Sequence, residues 1–409
     1  MGDSLMKKSD PLTRRFAPRL GPPPPPPQQQ QQRRRWRVEL GKALPALSLF
    51  ASVRLTGVIM ATLWSLHLGK HPRTVLGLEW DGRWYRHIAD HGYGLIEHAK
   101  TGGFIWNDRA FFPLFPGLIR AVNTVLPIGS VNVALLIAWT AALVAAWGVY
   151  GVGELLHSRR VGIILVALWA LLPHAIILTM AYTEPLMTAF AAWALYAVLT
   201  RRWLTAGTLA VLAGLCRPNG LAVAAAVFAG AVVYLWQLRR AGEPTAARAW
   251  AAAAVAPLGW FGYIGWVGFK THSLLGYFHV QSRWGSRFDF GVGTADTFKH
   301  LIVGHDTLVV YATAAIVLGY LLLFVFCVLN RMPLPLLAYC AVLIVMAVGG
   351  THFFSSKPRF LLPAFPLLIP LALHLARSRL RTIVVLLTAL AGVSLFYGTY
   401  LLTVSHRAL

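Results

Sequence analysis

An all-α polytopic membrane protein is the fold class this sequence predicts, and three observations carry it. Of its 409 residues, 57% are hydrophobic and only 12% charged, far from the roughly one-quarter charged residues of soluble domains. The apolar residues gather into runs near the roughly 20 that a helix needs to cross a bilayer. Arginines recur at every second connection between those runs, the bias that marks cytoplasmic loops.

Residues 1–43 contain Pro22 to Pro27, Gln28 to Gln32 and Arg33 to Arg35. Such a composition buries too little apolar surface to offset the entropy of ordering, so a disordered, basic cytoplasmic tail is expected. It shows no short apolar core with a small-residue cleavage site, and the first apolar run is therefore read as a retained span. From residue 44 to 409 about eleven runs read as spans: Leu44–Leu66, Val131–Val152, Val161–Leu178, Pro185–Thr200, Trp203–Cys216, Leu221–Trp236, Trp250–Phe269, Leu308–Val328, Pro333–Val348, Phe360–Ala376 and Ile383–Val404.

Crossing at each span from a cytoplasmic N-terminus places Arg159 and Arg160, Arg201 and Arg202, Arg239 and Arg240, Arg331, and Arg377, Arg379 and Arg381 inside. The long segments 70–130 and 270–306 then fall outside, where long loops weigh little in the charge rule. The same alternation brings Asp81, Tyr182-Thr183-Glu184, Arg217-Pro218-Asn219, Gln281 to Arg287 and Lys357-Pro358-Arg359 to the extracytoplasmic face. Arg54 falls inside the first span, where it pairs within the bundle or faces water.

The net charge of +23 raises nucleic acid as a partner. The basic residues lie in the tail and between apolar runs rather than on one face, so membrane lipids and phosphate-bearing ligands are expected instead. Cys216, Cys327 and Cys340 fall within or at the ends of apolar runs, and no structural disulfide is expected.

The densest polar stretch is Glu79 to Gly94, EWDGRWYRHIADHGYG. Ionised groups are costly in hydrocarbon, so it lies at the membrane surface or in a watered cavity. Trp80, Trp84, Ile88 and His91 recur at helical spacing, predicting an interfacial helix. Asp81 is a candidate general base, with Asp90 and Asp108 as competitors, and capping the helix is its alternative role. Trp80, Arg83 and Tyr85 are candidate substrate contacts beside it. Further on, Ala110 to Pro116 carries two prolines that interrupt a regular helix and keep bulky rings at headgroup depth, lining a portal for a lipid tail.

Tyr182-Thr183-Glu184-Pro185 reads as a tight external turn with proline at a helix start. Tyr182 and Glu184 are candidate substrate contacts, with capping an equal alternative for Thr183 or Glu184. Arg217 and Asn219 lie on a face where arginine opposes the charge bias; a phosphate explains that, and so does snorkelling to headgroups. Lys357 and Arg359 flank a proline at the outer end of a span, a site for a phosphate leaving group whose charge they would neutralise in the transition state. His67, His71, His87, His91 and His98 do not complete a metal motif, no Asp-x-Asp pair occurs, and no metal or other cofactor is expected.

These motifs together resemble the PIG-V-like mannosyltransferases. The likeness is carried by Trp80-Asp81, Ile88-Ala89, Gly92-Tyr93, Phe111 to Pro116, Tyr182 to Glu184, Arg217 to Gly220, Gln281 with Trp284, and Arg359 to Pro363. The family looks like GT-C glycosyltransferases, which implies a GT-C-like bundle, Asp81 as base, Gln281 and Trp284 as further substrate contacts, and a polyprenyl-phosphate-mannose donor. Trp84-Tyr85 stands where eukaryotic members tend to carry His-Phe, which implies a bacterial relative in a cell membrane. The expected activity is inverting transfer of mannose to a hydroxyl of a lipid, glycan or protein acceptor at the extracytoplasmic face. A transporter or flippase of a phosphate-bearing glycolipid is the alternative, and a scaffold for other glycan enzymes a further one.

Overall fold

The computed structural model describes residues 28–98, 103–351 and 353–405. The chain divides into two units, 1–42 and 43–409. The expected tail lies outside the described residues as far as residue 27; in the first unit, residues 28–42 are helical as part of α1 (Gln28–His67).

The segment between α1 and the next long helix carries α2 (Pro72–Gly77), α3 (Asp81–His91), an antiparallel pair of β1 (Ile96–His98) with β2 (Ile105–Asn107), and α4 (Leu114–Val125). Then come α5 (Ser130–Leu156), α6 (Arg159–Ala170), α7 (Glu184–Leu199), α8 (Trp203–Cys216), α9 (Leu221–Arg240), α10 (Ala247–Val255) and α11 (Leu258–Thr271). The segment after α11 contributes α12 (Gly276–Arg283) and α13 (Val292–Val303). The chain continues through α14 (Leu308–Leu329), α15 (Leu334–Gly349), α16 (Lys357–Leu361), α17 (Ile369–Arg377) and α18 (Leu380–Thr403).

Among the described residues six helical stretches are long and apolar enough to span a bilayer: Leu40–His67, Ser130–Leu156, Pro218–Arg240, Ala247–Thr271, Leu308–Leu329 and Leu380–Thr403. A seventh candidate is the pair Phe354–Leu361 and Phe365–Arg377, bent by 78°. The other expected runs form shorter or broken helices. Their apolarity has a different cause: α7 buries twelve of its sixteen residues and packs on α5 and α8, so its side chains face protein. On α18, by contrast, Val385, Val393 and Phe396 are exposed, as a lipid-facing surface requires.

Small residues let these helices approach closely. At the α5–α6 crossing, a Cβ on Gly153 would lie 2.8 Å from the Gly162 Cα, so neither position has room for a side chain. Two of the basic connections meet: Arg160 Nη2 donates to the Ser378 carbonyl at 2.9 Å, joining the α5–α6 turn to the α17–α18 turn.

The aromatic stretch before α4 departs from expectation. Phe112 and Phe115 are buried in protein, and α4 starts at Leu114 with Pro116 in its first turn, where a missing N–H is harmless. Phe111 stacks on Trp84 at 5.8 Å and meets Tyr85 edge-on at 5.2 Å. Phe112 meets Tyr263 of α11 at 4.4 Å, so these rings pack against protein rather than line a portal.

Candidate active site

Four ionised side chains from four segments converge. Asp81 begins α3, Glu184 begins α7, Arg217 follows α8 and Arg359 lies in α16. Arg359 donates from Nη2 to Asp81 Oδ2 and from Nε to Glu184 Oε1. Arg217 Nη1 stands 2.5 Å from the same Glu184 oxygen. Side-chain exposure falls along this ladder from 23% at Asp81 to 6% at Arg359 and 0% at Glu184. The Asp81 end is therefore the more open end of the ladder.

Local sequence puts the groups there. Both carboxylates occupy the first turn of a helix, where the backbone dipole favours negative charge. Trp80 precedes Asp81 at φ +52°, ψ −113°, a strained conformation for a residue with a Cβ, of the kind that clusters at functional sites. Gly82 follows because a Cβ there would sit 2.5 Å from the Gly77 carbonyl oxygen. Pro358 falls in the first turn of α16, where it needs no N–H partner.

Aromatic rings and main chain complete the setting. The Arg359 guanidinium lies 4.6 Å from the Tyr182 ring centroid, and it and Arg217 each lie 5.6 Å from the Phe360 ring. Tyr182 donates its hydroxyl to the Glu79 carbonyl at 3.4 Å, and Asn219 Nδ2 donates to the Phe360 carbonyl at 3.2 Å. The Tyr85 hydroxyl pairs with Thr183 Oγ1 at 3.2 Å. Burial first, and then the Asp81 charge, push that hydroxyl up, so it stays protonated. Thr183 stands at the cap position of α7 without a side-chain cap bond.

The competing acids have other partners. Asp108 Oδ2 accepts from the Gly94 and Leu95 amides at 2.7 and 2.8 Å. Asp90 accepts from Ser130 and pairs with Arg86 at 3.3 Å on the surface. Only Asp81 of the three contacts a guanidinium of the buried cluster.

Other sequence candidates are placed elsewhere. Lys357 Nζ donates to the Ala347 and Gly350 carbonyls at 2.7 and 2.8 Å, closing the C-terminal end of α15. The cation accompanying Arg359 at the carboxylates is thus Arg217 rather than Lys357. Arg83 pairs with Glu97 at 2.9 Å, with its guanidinium 5.0 Å from the Trp84 ring centroid. Gln281 Nε2 donates to the Tyr277 hydroxyl at 2.7 Å, and Trp284 Nε1 to the Asn107 carbonyl at 3.1 Å. Gln281 Nε2 also donates to the Ala110 carbonyl at 3.4 Å, so these two residues fasten α12 to the segment between α1 and α5.

Two contributors escaped the sequence reading. Phe360 touches both guanidiniums; its adjacency to Arg359 was the available signal. Tyr277 lies within reach of the Arg217 charge: burial raises its hydroxyl, while the Gln281 bond and Arg217 pull it back. Nothing in its sequence neighbourhood marked it.

Among the described residues no three His, Cys, Asp or Glu side chains converge as metal ligands. Asp81 Oδ2 and Glu184 Oε1 face two guanidiniums, which would repel a divalent cation, so the cluster as arranged does not fit one.

No family model and no curated protein matches the chain. Among solved structures it is similar to the oligosaccharyltransferase of Archaeoglobus fulgidus in its apo form, at 15% identity and a TM-score of 0.50, over 89% of this chain and 56% of that one. The same protein with zinc and sulfate gives 13% identity and a TM-score of 0.45, covering 87% and 54% of the two chains. As AglB, with an inhibitory peptide and a dolichol-phosphate, it gives 14% and 0.44, covering 87% and 55%. The chain spans a little over half the length of the apo enzyme and shares its fold.

Proposed function

We propose that this chain is a GT-C-type membrane glycosyltransferase that moves mannose from polyprenyl-phosphate-mannose to a hydroxyl of a lipid, glycan or protein acceptor, with inversion. The observation that carries the reading is Asp81 beside Arg359, a partly exposed carboxylate next to a buried guanidinium. The fold shared with an oligosaccharyltransferase supports the same class.

In this mechanism Asp81 takes the proton of the acceptor hydroxyl as its oxygen attacks the anomeric carbon. The bond from that carbon to the phosphate oxygen breaks on the opposite side. Arg359, assisted by Arg217, stabilises the charge that grows on the departing phosphate. Tyr182 and Phe360 hold the guanidiniums in place, and Trp80, Tyr85 and Asn219 shape the pocket around them. Lys357 positions the turn that carries Arg359. A site on the extracytoplasmic face uses a lipid-carried donor because water-soluble nucleotide sugars stay in the cytoplasm. The N-terminus is cytoplasmic in this arrangement, and α6, α7, α8, α15 and the bent pair complete the eleven crossings.

The test is transfer of radiolabelled mannose from polyprenyl-phosphate-mannose, in vesicles holding the purified chain, to acceptors in a lipid extract. New covalent linkage is expected. Label that crosses the vesicle membrane without forming a linkage contradicts the enzyme and identifies a transporter.

A further inference from the structure

The ladder has a feature that the transfer chemistry alone does not require: the proposed base and the proposed phosphate-binding cation are bonded to each other. Asp81 and Glu184 against Arg217 and Arg359 sum to zero charge. Resting on the reading of this site as a phosphate-lipid glycosyltransferase, we infer that the donor phosphate competes with Asp81 for Arg359, so that Asp81 becomes available to the acceptor only after the donor has bound.

Three observations carry the inference. Asp81 is the exposed end of the ladder, whereas Glu184 is fully buried, so an arriving anion displaces Asp81 first. Arg217 has unused capacity: its Nη1 pairs with Glu184 Oε1, while its buried Nε has no hydrogen-bond partner. Glu184 Oε2 is likewise buried without a partner, so the inner carboxylate can keep hold of one guanidinium while the other turns to the donor. Buried donors left unsatisfied are costly, and a phosphate oxygen would relieve that cost.

The proton balance follows. A donor phosphodiester brings one negative charge into a neutral cluster. The acceptor oxygen then bonds to the sugar, the sugar–phosphate bond breaks, and the acceptor proton passes to Asp81. The extra negative charge left on the departing polyprenyl phosphate is matched by the proton on Asp81, which returns to water when the products leave. Without a donor, Asp81 stays on Arg359 and no hydroxyl is activated. Donor binding therefore precedes productive acceptor binding.

The test is the affinity of full-length protein in detergent for polyprenyl phosphate, comparing the native chain with Asp81→Asn, with polyprenol and inorganic phosphate as separate probes. Removing the competing charge tightens polyprenyl phosphate by about fivefold or more, within the usual range of site-to-site coupling. Polyprenol, which has no phosphate, binds both forms equally; inorganic phosphate tightens as polyprenyl phosphate does if the headgroup alone is recognised. Unchanged or weaker polyprenyl phosphate affinity in Asp81→Asn overturns the competition, whatever happens to transfer. Retained transfer with tighter binding keeps the competition and removes Asp81 as the base. Should the variant fail to fold, the native chain answers by carbodiimide labelling: saturating polyprenyl phosphate raises labelling of Asp81 relative to Asp90, and an unchanged or lowered ratio overturns the inference.

Discussion

Among the described residues, four buried cations are held in two different ways. Arg54 donates to the Ala170 carbonyl at 2.5 Å and to the Ala175 carbonyl, and Lys357 to two carbonyls at the end of α15. Arg217 and Arg359 instead face Glu184 and Asp81, with aromatic rings beside them. Burial is similar in all four, so the partner makes the difference. A main-chain carbonyl cannot take a proton or move away; a cation bound to it braces the fold. A carboxylate can do both, and a cation bound to it stays responsive to a new anion.

The largest effect that would break this contrast is expected at Arg359. Arg359→Met leaves Asp81 and Glu184 without their shared counter-charge, costing about 3–5 kcal/mol of stability. Turnover falls by about 10²-fold or more through lost stabilisation of the leaving phosphate. Thermal unfolding in detergent and a transfer assay read the two losses separately. Arg54→Met strips the partners from two buried carbonyls, at about 1–3 kcal/mol each. The protein that remains folded keeps native kcat and KM, and a changed donor KM would erase the distinction between the two classes of cation.

Lys357→Met sharpens the comparison on a smaller scale. It uncovers the carbonyls of Ala347 and Gly350, only one of them deeply placed, and costs about 1–3 kcal/mol. The donor KM stays within about twofold, because uniform binding is not lost; a large rise in KM would place the ammonium on the phosphate. The smallest effect is at Arg83. Its pair with Glu97 is exposed on both sides, worth about 0–1 kcal/mol, and Arg83→Ala is expected to leave melting and transfer essentially native.

The ladder was partly legible in the sequence. Glu184, Arg217 and Arg359 each interrupt an apolar pattern, Asp81 stands in the densest polar stretch, and counting crossings brought all four to one side. Their mutual pairing was not legible, because Glu184 before Pro185 has the same signature as a helix-start residue, and only the packing of α7 against α8 and α16 turns it into the shared counter-ion. The carbonyl partners of Lys357 were hidden for a related reason: main-chain direction after Gly349 is not written in side-chain identity. Helix lengths were not legible where apolar residues face protein, as along Met187, Ala191 and Leu195 of α7, all fully buried. The strand pair Ile96–His98 with Ile105–Asn107 is too short to show a period.

The most direct test of the central claim, that the exposed carboxylate of this ladder is the base of a glycosyl transfer, is the single-turnover rate from polyprenyl-phosphate-mannose with folded Asp81→Asn protein. The account predicts a rate lower by about 10²- to 10⁴-fold, with melting temperature close to native and donor binding tighter than native. A rate within about tenfold of the native protein, below the range expected for losing a general base, would contradict it.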